Sequence, residues 1–132
     1  MKKISTTAVI LLLAVLSNAQ AIPNGGFEAW TNNIVYEDPN EWTTLNFFSA
    51  FGLPVTVTSG TPAPEGSKYA HMETGGSEVL GDTVAAIMFS GNLNLATQTG
   101  ALGFPVSSMA NFLTGKYRYS ANDGNDLGAG GL

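Results

Sequence analysis

Leu113-Thr114-Gly115-Lys116-Tyr117-Arg118-Tyr119-Ser120 is the stretch with the plainest local pattern in the chain. Leu113, Gly115, Tyr117 and Tyr119 alternate with Thr114, Lys116, Arg118 and Ser120, a period of two that predicts a strand with one largely aromatic face and one polar face. The same signal recurs upstream. Val55-Thr56-Val57-Thr58 alternates between Pro54 and the turn-forming stretch that holds Pro62 and Pro64. Lys68 to Glu73 places Ala70 and Met72 on one face and Tyr69, His71 and Glu73 on the other. Trp42 to Phe48 and Thr83 to Ser90 read as further strands. After Ala21 no apolar period of 3.6 residues is sustained over three turns with caps at both ends, so long helices are not expected. Short strands separated by Gly, Pro and Asn predict an all-β protein, a β-sandwich or a related architecture.

Composition narrows the class. The chain has 132 residues, and only 11% of them are charged, with 16 Gly and 6 Pro, which suits a turn-rich β domain. The absence of cysteine excludes disulfides, thiolate metal sites and cysteine nucleophiles. Lys2 and Lys3 precede the apolar run Ala8 to Leu16, and Ala19-Gln20-Ala21 offers small residues where a signal peptidase reads. Residues 1–21 therefore read as a Sec-type signal peptide, with the mature chain starting at Ile22. The apolar run is far shorter than the roughly 20 residues that span a bilayer. No membrane insertion is expected after cleavage, and the protein is expected to be secreted to the periplasm, the cell surface or the medium.

The exported part keeps three basic residues, Lys68, Lys116 and Arg118, against all ten carboxylates, a formal charge of −7. No cluster of basic residues exists, so nucleic acid is not an expected partner. The Gly-, Asn- and Asp-rich stretch 122–132 shows no strand pattern and reads as a flexible end or a cut loop. The domain at 22–121 is expected to be cut short, because a strand as regular as Leu113 to Ser120 needs hydrogen-bonding neighbours.

Three blocks carry a resemblance. They are Ile22-Pro23-Asn24-Gly25-Gly26-Phe27-Glu28-Ala29-Trp30 with Pro39-Asn40-Glu41-Trp42, then Gly66-Ser67-Lys68-Tyr69-Ala70-His71-Met72-Glu73, then Phe104-Pro105 with Leu113 to Tyr119 and Asp123-Gly124-Asn125-Asp126. In this order they resemble galactose-binding-like β-jelly rolls, and among these the carbohydrate metabolism domain of secreted Bacteroidetes proteins. The resemblance implies a jelly roll of carbohydrate-related function. It also implies a structural Ca²⁺ held by Glu28 and the backbone at Ser67 and Lys68, since Ca²⁺ takes six to eight hard oxygen ligands.

Trp30, Trp42, Tyr117 and Tyr119 are the candidates for a sugar-stacking platform, because a pyranose ring packs its apolar face on an aromatic ring. Core packing is the competing role for both tryptophans. His71 is the single histidine and reads as a surface strand residue beside Tyr69 and Glu73. No Gly-x-Ser-x-Gly elbow is present. Gly124, Gly128, Gly130 and Gly131 precede no lysine and no helix pattern, which excludes a phosphate loop. The sequence thus leaves three function classes: a non-catalytic module that binds carbohydrate or another cell-surface component, which leads, a structural or adhesive surface domain, and a glycan-processing enzyme.

Overall fold

A computed structural model describes residues 20–109 and 112–120. The stretch read as a signal peptide, up to residue 19, and the Gly-rich end at 122–132 lie outside the described residues. Among the described residues nine short strands form four antiparallel sheets, so the all-β expectation holds. In chain order, β1 (Trp30–Asn32) pairs with β2 (Glu37–Pro39). β3 (Trp42–Thr44) pairs with β8 (Met88–Asn94), which also carries β9 (Thr99–Leu102). β4 (Val57–Gly60) pairs with β5 (Tyr69–Met72), and β6 (Gly75–Ser77) with β7 (Asp82–Val84).

β4 and β5 follow the alternation in the sequence. Val57 faces Met72 and Ser59 faces Ala70 on one side, while Thr58 faces His71 and Gly60 faces Tyr69 on the other. β8 changes partners along its length. Its first half, Met88 to Ser90, pairs with β3, and its second half, Gly91 to Asn94, pairs with β9.

Three expected strands are corrected. Leu113 to Ser120 lies outside every sheet, with Leu113 and Tyr117 more than four-fifths or about four-fifths exposed. Alternation makes a segment compatible with a sheet but supplies no partner edge, and hydrogen bonding to an edge is what makes a strand. Trp42 to Phe48 ends as a strand at Thr44 and continues as a 3-10 helix, Asn46–Phe51. The Thr44 hydroxyl accepts the Asn46 N–H at 3.0 Å, closing a local turn that competes with the extended chain. The tightened backbone brings the ring centroids of Phe47 and Phe48 to 5.4 Å and those of Phe47 and Phe51 to 5.6 Å. In a strand, Phe47 and Phe48 would point to opposite faces. Thr83 to Ser90 splits between β7 and β8.

Val57 is the one buried hydrophobic side chain among the described residues. The Pro39 ring is fully buried as well, and the other buried side chains are polar: Thr43, Thr44, Asn46, Thr56 and Ser77. Asn46 organises it. Its Nδ2 donates to the carbonyls of Glu37 (2.9 Å) and Val57 (2.6 Å). Its Oδ1 accepts the N–H groups of Thr56 (3.1 Å) and Val57 (3.2 Å). One amide therefore uses two donors and two acceptors to tie β2 to the start of β4. Glu37 adds a second tie, its Oε1 accepting both the N–H and the hydroxyl of Ser59 at 2.7 Å.

The β1–β2 hairpin stores local strain at its tip. Asn32 Oδ1 accepts the Ile34 N–H at 2.9 Å, and the Val35 N–H donates to the Asn33 carbonyl at 2.9 Å. This turn holds Ile34 at φ +73°, a region hostile to β-branched residues, while its side chain is 97% exposed. Ile34→Asn should raise the stability by about 1 kcal/mol, because asparagine tolerates the left-handed conformation that costs other residues about 1–2 kcal/mol. Urea unfolding of the two proteins measures the difference.

Candidate functional site

The hairpin, the turn after it and the far half of β8 enclose a cleft of about 520 Å³. Thr31, Asn33, Tyr36, Asp38 and Pro39 line it from the hairpin, and Asn40 and Glu41 from the β2–β3 turn. Trp42, Thr43, Thr44 and Phe47 form another wall, and Asn92 to Ala96 close it.

Local hydrogen bonding holds these walls in place. Asn24 Nδ2 donates to the carbonyls of Ala29 (2.8 Å) and Asn40 (2.9 Å), fastening the segment before β1 to the β2–β3 turn. Thr31 Oγ1 meets Asn40 Oδ1 at 2.8 Å. The buried Thr43 hydroxyl donates to the Gly91 carbonyl at 2.9 Å and accepts the Leu93 N–H at 2.8 Å. That side chain stitches β3 to the part of β8 that has already turned away toward β9. Asn94 Oδ1 accepts the N–H groups of Ala96 and Thr97, each at 3.0 Å, and shapes the turn that closes the cleft.

Two titratable groups inside the cleft are shifted. Burial raises the Asp38 carboxyl above the ordinary aspartate range, outweighing the Thr44 hydroxyl and the nearby Asn46 amide, which favour its charged form. The Thr44 hydroxyl donates to Asp38 Oδ1 at 2.5 Å. Burial also raises Tyr36, and the negative charge of Asp38 adds to the effect, so the phenol stays neutral and can donate a hydrogen bond.

The structure does not gather the four aromatic candidates into one platform. Trp42 alone of them lines the cleft. Its ring lies 5.1 Å from Phe27 and 5.2 Å from Phe104, and its Nε1–H donates to the Pro23 carbonyl at 3.1 Å. It is a half-buried packing residue that also forms part of a wall. Trp30 sits in β1 with its Nε1–H donated to the Phe27 carbonyl at 2.6 Å. Tyr117 and Tyr119 belong to the segment outside the sheets. Tyr36 and Asp38 went unrecognised in the sequence, where they sit within a turn-rich stretch. The one signal for the site was the run of asparagines at 33, 40, 92 and 94, which by themselves indicate turns.

Glu28, Ser67 and Lys68 do come together. Glu28 Oε1 accepts the N–H groups of Ser67 (2.8 Å) and Lys68 (3.2 Å) across almost forty residues of chain. Gly66 makes the approach possible: it sits at φ +73°, and a Cβ there would lie 2.0 Å from Glu28 Oε1. The carboxylate thus faces N–H donors, and a Ca²⁺ ion would have to displace them from Oε1 or use Oε2 alone. Among the described residues, no three His, Cys, Asp or Glu side chains gather as a metal site. His71 Nε2 lies 3.4 Å from Glu73 Oε2 on the exposed face of β5. Lys116 pairs with Glu65, away from the cleft.

Comparison with protein families, with curated proteins and with solved structures finds no match for the chain.

Proposed function

We propose that this protein is an exported, non-catalytic β-module of the jelly-roll kind that holds a carbohydrate in the cleft between the β1–β2 hairpin and β8. The observation that carries the reading is what lines that cleft: four asparagines, three threonines, Asp38 and the aromatic rings of Tyr36 and Trp42. Each sugar hydroxyl both donates and accepts, and amides and hydroxyls answer both needs at fixed positions. Tyr36 offers a ring with a polar tip, suited to the mixed surface of a pyranose. The leader at 1–21 supports export, and the three sequence blocks that resemble the carbohydrate metabolism domain point to the same ligand class.

Retention in polysaccharide-containing gels, followed by a glycan array, tests the reading. Tyr36→Ala should weaken retention at least tenfold with the unfolding midpoint nearly unchanged. Trp42→Ala should instead cost about 3 kcal/mol of stability, because it leaves a cavity between Phe27 and Phe104. Wild-type protein that no glycan retains would overturn the proposal.

A structural or adhesive role is the second reading, and the hairpin tip favours it. Ile34 and Val35 present apolar side chains to solvent, and Ile34 does so from a strained backbone. Attachment that survives Tyr36→Ala and is lost in Ile34→Asn would support this role over the first.

A further inference from the structure

We infer that the cleft selects saccharides that carry an amine over saccharides that carry an acid, an inference that rests on the glycan reading above. Two carboxylates, Asp38 and Glu41, line the cleft, and no Lys, Arg or His does. The hydrogen bond that Asp38 accepts comes from a neutral donor, with the Thr44 hydroxyl at 2.5 Å from Oδ1. No cation among the lining residues neutralises that charge. The basic residues of the exported chain are placed elsewhere, with Lys116 on Glu65 and the Lys68 backbone on Glu28.

Physical chemistry then orders the ligands. Asp38 is half-buried, so its field is screened less than that of a carboxylate in open water. An ammonium group brings three donors and a positive charge to a wall of carboxylate and amide oxygens. A uronate brings a further negative charge into the same space and finds no cationic partner. A neutral sugar meets the amides and Tyr36 without gain or loss from the charge.

Three oligosaccharides of equal length provide the test by isothermal titration near pH 6, where an amine is protonated. They are an N-acetylated chito-oligosaccharide, its deacetylated form and an oligogalacturonate. The expected order is deacetylated, then acetylated, then galacturonate, with at least a tenfold span between the ends that narrows in 0.5 M salt. Glu41→Gln alters only an exposed side chain and should narrow the span, and the Asp38→Asn/Glu41→Gln pair should reduce it to about twofold.

Equal binding of all three, or preference for the uronate, overturns the selectivity and leaves the glycan reading standing. A preference for the amine that survives both substitutions marks adsorption to the acidic surface as a whole and also overturns it. If none of the three binds and the array retains nothing, the glycan reading fails and the selectivity fails with it.

Discussion

Asn46→Ala is expected to destabilise the protein by roughly 4 kcal/mol, which would leave only about 1 kcal/mol if the stability is near the low end of the usual 5–15 kcal/mol. The side chain is completely buried and satisfies four backbone groups: two carbonyls, of Glu37 and Val57, and two N–H groups, of Thr56 and Val57. Alanine leaves them without the amide in a site closed to water, where an unsatisfied polar group costs about 1–3 kcal/mol each. Relaxation and entering water recover part of the sum. The hydrophobic term offers little reserve, because Val57 and Pro39 are the large apolar side chains that are fully buried among the described residues. A fully buried valine contributes only about 1.5–3 kcal/mol. Asn46→Asp is the sharper variant, since it keeps the shape but turns Nδ2 from a donor into an acceptor facing two carbonyl oxygens. Urea unfolding followed by circular dichroism measures both, and a loss below 1 kcal/mol in either variant would refute the role assigned to this amide.

Gly91→Ala is expected to cost at least about 3 kcal/mol and to detach β9 from β8. Gly91 is the residue at which β8 leaves β3 for β9, and it sits at φ +95°. A Cβ at this position would lie 2.6 Å from the Ala101 carbonyl oxygen, 2.6 Å from the Gly103 nitrogen and 2.8 Å from the Gly103 carbonyl oxygen. All three are backbone atoms, so no rotamer change relieves the contact. The left-handed conformation adds about 1–2 kcal/mol for any residue with a Cβ. The N–H of Gly91 also donates to Glu41 in the cleft wall, and its carbonyl accepts from Thr43. Hydrogen exchange should therefore show faster exchange at the amides of Gly91 and Leu93 together with those of β9, and weaker glycan retention should accompany it. Unchanged protection along β9 would contradict this account.

The all-β class, the strand at Tyr69–Met72 with the faces it presents, and the approach of Glu28 to Ser67 and Lys68 were legible in the sequence. The first two depend on short-range properties: side-chain alternation, and proline and glycine at the flanks, act within a few residues and so can be read within a few residues. The Glu28 approach came with the resembling blocks, which implied carbonyl ligands around Ca²⁺, whereas the structure brings the N–H groups of Ser67 and Lys68 to Oε1.

What only the tertiary structure decided is where hydrogen bonds and charge meet across long separations. Leu113 to Ser120 has the local pattern of a strand but lies outside the sheets, because a strand needs a partner edge that no alternation specifies. Asn46 looked like one residue of a strand beginning at Trp42, and its importance arises only when Glu37, Thr56 and Val57 fold around it. Tyr36 and Asp38 gained their raised pKa values from the burial that the assembled cleft imposes. Period and turn chemistry are properties of neighbours along the chain, whereas burial, partner choice and electric field are properties of neighbours in space, and folding alone determines the second set.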